Sequence, residues 1–403
     1  MSERNQPPTS RIHPPPPPPN RNSRARSAES HELSMPKATI AAMVKQAYEA
    51  GASDIHVRVG EAPRFRIRGR LERAEDLPAT TPQIMLQYLT EILSPEQRER
   101  FKKSKEMDSA LFYPKLVRCR VNCFETLTGP AIVLRLIQLK IPSIDSLRLP
   151  PILKDLIVAP QGLLLVTGPT GSGKSTTVAA MIDYLNRNEF KHVISIEDPI
   201  EYVHPSRNCS ISQREVGLHT LEFKDALRAA LREDPDVILI GEMRDVVTIN
   251  TAVQAAQTGH LVIGTLHTRN AIDSVNRLLN LYPPNEQDVI RLQIVESLVA
   301  VVSQLLLPTT DNKRVAVHDI LVNTAAMKDY LIRGEEDEAF RLMKDDTYGG
   351  MQVMNQALYE RVLDGQITIE EAEKVSPDVG ELERLMRTGG FDASQSPRDW
   401  QSP

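Results

Sequence analysis

The chain has 403 residues, 41% hydrophobic and 25% charged, which is ordinary soluble-globular composition at a length that suggests two or three domains. Its formal net charge of −5 supplies no general basic footprint, so nucleic acid is not the expected direct partner. The three scattered cysteines, Cys119, Cys123 and Cys209, exclude a disulfide scaffold and lack the paired spacing of a structural zinc site.

Residues 1–36 read as a disordered, proline-rich leader, because the run Pro14–Pro19 among Ser, Arg and Asn offers too little apolar surface to offset chain entropy. Over 37–141, short alternating segments such as His56–Val59 and Arg64–Arg68 are separated by helical stretches at Thr39–Ala50 and Pro82–Leu93, the pattern of a small α+β domain. Arg64, Arg66, Arg68 and Arg70 fall on one strand face by period two, expected to be a solvated outer face. Pro142, Pro150, Pro151 and Pro160 punctuate a linker at 142–160.

In 161–370, the strand-like runs Leu163–Thr167, His192–Glu197, Val237–Gly241 and Leu261–Thr265 alternate with helical ones, which signals an α/β fold built on a parallel, doubly wound sheet. From about Ile290 the pattern reads as largely helical, and 371–403 ends in a Ser/Pro/Gln-rich tail expected to be flexible. The longest apolar stretch, Leu292–Leu307, is broken by Gln293, Glu296, Ser303 and Gln304 and fails as a membrane-spanning helix. No apolar signal-peptide core stands near the N-terminus either, so the expected location is cytoplasmic, with any membrane association made through a partner.

The first strand of this half runs into Gly168, Pro169, Thr170, Gly171, Ser172, Gly173, Lys174 and Ser175, and every fixed position of the phosphate-loop pattern is filled. Glycines let backbone N–H groups close around phosphate oxygens, while the following helix, opened by Thr176, aims its positive dipole end at them. Lys174 is expected to reach the β- and γ-phosphates, and Ser175 to offer its hydroxyl to Mg²⁺, which takes hard oxygen ligands.

A phosphate loop alone leaves the activity open, so the other strand ends must decide. After the second strand stand Glu197, Asp198 and Glu201, any of which could polarise a water facing the γ-phosphate; spacing does not choose among them. After the third, the apolar run Val237–Ile240 meets Glu242, the place of an acid on the Mg²⁺ shell. The fourth strand has His260 at its start and His267 at its far end, within a Thr-His-Thr cluster beside the expected γ-phosphate. Transition-state charge also calls for arginines, and the candidates are Arg118, Arg120, Arg135, Arg228, Arg232 and Arg244.

Taken together, the segments Gly51–His56, the phosphate loop, Ile196–His204, Leu231–Asp236, Gly241–Asp245 and Thr258–Thr268 resemble the secretion ATPase superfamily, and within it the PilT-type retraction ATPases of type IV pili. The resemblance spans about residues 38–370. It implies a PAS-like N-terminal domain and a RecA-like ATPase domain with a helical C-terminal part, assembled as a homohexameric ring with ATP and Mg²⁺ between domains. By the same resemblance, Glu201 is the general base, Glu242 the Walker B acid, His260 and His267 the histidine-box pair, and Arg120 and Arg135 the arginines that approach the nucleotide. The implied activity is ATP hydrolysis that drives pilus retraction and twitching motility. The implied partners are the inner-membrane platform protein at the pilus base, where the ring associates peripherally, and a second retraction ATPase. Thr128 replaces an arginine common in the family, and both Ala326–Glu335 and Gly350–Gln352 look nearer to the accessory PilU-like branch. The extra N-terminal domain and four-cysteine insertion typical of assembly ATPases are not seen, which disfavours pilus extension.

Overall fold

Thr39 caps the first helix, Ile40–Glu49, by accepting from the Ala42 N–H, and Ile40, Met43, Val44 and Ala47 recur at helical spacing on its buried face. The structure is a computed structural model that describes residues 39–346 and 349–389. The expected leader and the end of the expected tail lie outside the described residues.

The helices Ile40–Glu49, Pro82–Ile92 and Pro95–Ser104 pack on an antiparallel sheet of six strands: β1 (Ala52–Arg58), β2 (Arg64–Ile67), β3 (Arg70–Arg73), β4 (Glu106–Tyr113), β5 (Val117–Thr126) and β6 (Gly129–Gln138). Their order is β3-β2-β1-β6-β5-β4. The sheet corrects the expected arginine row. Arg68 and Gly69 form the two-residue turn between β2 and β3 with φ of 49° and 84°, so the strand breaks where period two assumed continuity. Arg66 instead donates to the Gly69 carbonyl at 3.0 Å and lies 3.7 Å from the buried Asp54 carboxylate.

The second domain holds seven strands: β7 (Gly162–Thr167), β8 (His192–Glu197), β9 (Ser210–Glu215), β10 (Val237–Ile240), β11 (Leu261–Leu266), β12 (Leu298–Pro308) and β13 (Arg314–Val322). They lie in the order β13-β12-β7-β11-β10-β8-β9, all parallel except β13 at the edge. Successive side chains of the central strands serve opposite faces. Leu163 and Leu165 join one apolar cluster, Leu164 and Val166 the other, and helices cover both, which is why these strands read as unbroken apolar runs.

β12 and β13 stand where the sequence reads as largely helical. The reason is the same two-sided burial: Leu298–Leu307 shows no alternation to distinguish a covered strand from a buried helix. Five helices follow in the described residues, from Ala325–Arg333 to Val379–Thr388, and part of them packs on the outer half of the β12–β13 hairpin.

β13 carries Asp319 at 5% exposure, held among the described residues only by the Ala271 N–H at 3.2 Å, and burial pushes its carboxyl up to about 7. An unfolded Asp titrates near 4, so between about pH 4 and 7 the folded chain binds the extra proton and loses stability as pH rises. Asp319→Asn is therefore expected to gain stability over wild type progressively across that window, by at most about 4 kcal/mol at pH 8. Denaturation midpoints at pH 5 and pH 8 check this, since an equal difference at both removes the charge as its cause.

The two domains are joined by more than chain. Arg118 of β5 pairs with Glu215 of β9 at 2.7 Å, with the side chains 10% and 7% exposed, and the same Glu215 oxygen accepts from the Ile200 N–H at 3.3 Å. A buried pair of this kind costs several kcal/mol to break by removing one partner. It ties the N-terminal sheet to the segment that carries Glu201. Part of the proline-punctuated 142–160 stretch is also built in, since Ile144, Leu149, Leu153, Leu156 and Ile157 are buried against the core of the second domain.

Candidate functional site

The phosphate loop leaves the C-terminal end of β7 and enters the helix Lys174–Asn188, with Gly168, Gly171 and Gly173 at φ of 142°, 82° and 88°. Those angles favour glycine, and at Gly168 space requires it as well: a Cβ would meet the Gln304 carbonyl oxygen at 2.3 Å. Lys174 is folded back on its own loop, donating to the carbonyls of Gly168 at 2.7 Å and Pro169 at 3.1 Å. Burial lowers its pKa, opposed by the Glu242 and Glu201 carboxylates. Thr176 shares a 2.9 Å hydrogen bond with the Tyr202 hydroxyl, linking the first helical turn to the Glu201 segment.

Around this loop the C-terminal strand ends enclose a cleft of about 670 Å³, whose walls include Lys174, Ser175, Glu201, Glu242 and His267. Glu242 follows β10. Its carboxylate lies 2.6 Å from the Arg244 guanidinium and 3.2 Å from His267 Nε2, and those partners, Arg244 above all, hold it below the usual carboxylate range. Thr265 of β11 donates to the Gly241 carbonyl and fastens the two strand ends that present Glu242 and His267.

The three carboxylates after β8 separate. Glu197 is buried and engaged, accepting from Ser195 Oγ at 2.6 Å and Gln213 Nε2 at 3.1 Å, and burial raises its pKa. Asp198 and Glu201 are exposed on the cleft wall, and Glu201 also lines the neighbouring groove between the domains.

Nucleotide fits these residues. The loop's backbone is open at Gly171, where a Cβ would meet nothing within 4 Å, and the buried Ser172 hydroxyl has no hydrogen-bond partner among the described residues. Ser175 and Glu242, both on the cleft wall, are the hard-oxygen pair suited to Mg²⁺.

Other expected residues stand apart. His260 lies at the opposite end of β11, roughly 20 Å of strand from His267, with Nδ1 3.0 Å from the Ala255 carbonyl, and it does not line the cleft. The two histidines thus stand at opposite ends of a six-residue strand, and of the pair only His267 lines the cleft. Arg120 and Arg135 face each other across β5 and β6 and line the interdomain groove with Glu201 and Tyr202, away from the phosphate loop. Arg135 is held by Asp54 at 2.8 Å. Arg244 reaches the cleft; Arg118 is absorbed by Glu215.

Sequence reasoning missed Gln304, which touches the phosphate loop from β12. The signal was present, since Ser303 and Gln304 interrupt an apolar run, but only a strand assignment gives two polar residues there a purpose.

Comparison with known proteins agrees with this architecture. Residues 29–394 match the family described as Type II/IV secretion system protein. A twitching motility protein of Neisseria gonorrhoeae is 43% identical over 313 residues, covering 77% of this chain and 83% of that protein. The type IV pilus retraction ATPase PilT of Pseudomonas aeruginosa is 41% identical over 322 residues, 80% of this chain and 93% of its own length. A crystal structure of the pilus retraction motor PilT with bound ADP aligns with a TM-score of 0.81 at 42% identity, over 86% of this chain and 99% of that one. Family match, identity across both domains and shared fold lead to one conclusion: the chain belongs to the Type II/IV secretion system protein family and is a PilT-type ATPase.

Proposed function

We propose that this chain is the subunit of a homohexameric ATP-driven motor that retracts type IV pili. The observation that carries the chemistry is the single cleft that brings Lys174, Ser175, Glu201, Glu242 and His267 together at the strand ends. ATP occupies the loop, with its phosphates on the backbone N–H groups of Gly173–Ser175 and its γ-phosphate neutralised by Lys174 once that side chain leaves the Gly168 and Pro169 carbonyls. Ser175 and Glu242 are the residues that would hold Mg²⁺, which would supply positive charge to the phosphate oxygens. Glu201 takes the proton of the attacking water as its oxygen bonds to the γ-phosphorus and the bond to the bridging oxygen of ADP breaks. His267, 3.2 Å from Glu242, reports the state of that carboxylate to the end of β11.

Arg120 and Arg135 belong to the same reading as closure residues. They sit on the N-terminal side of the interdomain groove that Glu201 also lines, so closing the groove moves two cations toward the hydrolytic segment. Hydrolysis then becomes a change in domain angle, which a ring passes to its neighbours. The work is delivered to an inner-membrane platform protein from the cytoplasmic side. No helix among the described residues is long and apolar enough to cross a membrane.

Purified full-length chain is expected to hydrolyse ATP with Mg²⁺ at a rate that added DNA leaves unchanged. Hydrolysis that requires DNA would replace the motor reading with a translocase.

A further inference from the structure

Resting on the reading that the cleft binds nucleotide, we infer that Gln304 is a positioning residue for the phosphate loop, gripping both its ends from the neighbouring strand. β12 lies beside β7 in parallel, so the two strands deliver Gln304 alongside the loop as the chain leaves Thr167. The side chain is 1% exposed. Its Nε2 donates to the Ser172 carbonyl at 2.6 Å, and its Oε1 accepts from Thr177 Oγ1 at 2.6 Å. One amide thus bridges the last turn of the loop and the first turn of the helix behind it.

The contact extends to the glycines. The Gln304 carbonyl oxygen occupies the space a Cβ would take at Gly168, and its Nε2 lies 2.9 Å from the Cβ position at Gly173. Entry and exit of the loop are therefore both set against one residue. A third group fixes which way the amide points. His318, paired with Gln304 across β12 and β13, places Nε2 3.1 Å from Oε1. With Nε2 of Gln304 committed to the Ser172 carbonyl, Oε1 is the acceptor and His318 donates from Nε2 as the neutral tautomer. Burial, which pushes the His318 pKa down to about 3, keeps the ring neutral.

The consequence is pre-organisation: with the Ser172 carbonyl and the Thr177 hydroxyl held, the loop backbone is fixed before nucleotide arrives, and less of it remains to be ordered on binding. The test is steady-state ATP hydrolysis by the full chain, with melting temperature recorded in parallel. Gln304→Met, similar in length and apolar, is expected to raise KM for ATP about tenfold while kcat stays within about threefold. Thr177→Val, which keeps the shape and removes the hydroxyl, is expected to shift KM in the same direction, and Thr177→Ser to recover most of that loss. A folded Gln304→Met or Thr177→Val variant that melts earlier with KM unchanged makes these bonds merely structural and overturns the inference, while the nucleotide site stands. A wild-type chain that neither binds nor hydrolyses ATP overturns the inference together with the reading beneath it.

Discussion

Lys174→Ala is expected to reduce ATP hydrolysis by about 10³-fold or more, because it removes the one cation that the phosphate loop itself supplies to the transition state. The ammonium group is half-buried, and burial alone disfavours its charge; Glu242 and Glu201 oppose that. It rests on the Gly168 and Pro169 carbonyls at 2.7 and 3.1 Å, partners that a triphosphate can outcompete. Alanine also removes the ammonium that a bound triphosphate would draw from those carbonyls, so the loss should appear in nucleotide binding as well as in turnover. Fluorescent-nucleotide titration beside an ATPase assay measures both, and hydrolysis within tenfold of wild type would sink the assignment of Lys174.

Glu201→Gln should behave differently, abolishing turnover by about 10²–10⁴-fold while leaving ATP binding largely intact. Glutamine keeps the size and hydrogen-bonding capacity of the side chain but cannot accept the proton of water. The surroundings support that separation. Glu201 is exposed on the wall shared by cleft and groove, whereas Glu197 is occupied by Ser195 and Gln213 and Glu242 by Arg244 and His267. Glu197→Gln is correspondingly a change to a buried hydrogen-bond network, and its first effect should be on stability. If Glu201→Gln loses ATP binding as fully as Lys174→Ala, Glu201 holds the nucleotide and is not the base.

The contrast between what the sequence disclosed and what it hid follows from where each residue's partners lie. The phosphate loop is local: its glycines, lysine and serine are consecutive, and the strand and helix that frame it are continuous segments, so residue order alone specifies it. The acids and His267 were legible for a related reason, since each follows a short apolar run and parallel strands bring such ends together. That Glu197 is engaged while Asp198 and Glu201 are exposed was not legible, because it depends on burial and on Gln213 from a different strand. Gln304 and His318 stayed hidden along with the β12–β13 hairpin, whose covered strand has no alternation. Arg118 looked like one more arginine beside Arg120 and Arg135 until the fold placed Glu215, 97 residues later, against it.

The interdomain geometry gives the proposed motor its mechanical link. Glu215 binds Arg118 of one domain and the Ile200 N–H of the other, one residue before Glu201, so a change in domain angle and a change at Glu201 share a contact. Arg120 and Arg135 lie in the groove on the same side. Under the proposed function, closure around nucleotide has a path to Glu201, the base that reading assigns, and hydrolysis a path back to the domain angle.

The most direct measurement is pilus retraction in cells lacking this chain, complemented with wild type or with Glu201→Gln, scoring surface pili and twitching in the same population. The account predicts excess pili without movement in the deletion, restored by wild type and not by Glu201→Gln. Cells that retract normally without the chain, or that carry no pili at all, would contradict it.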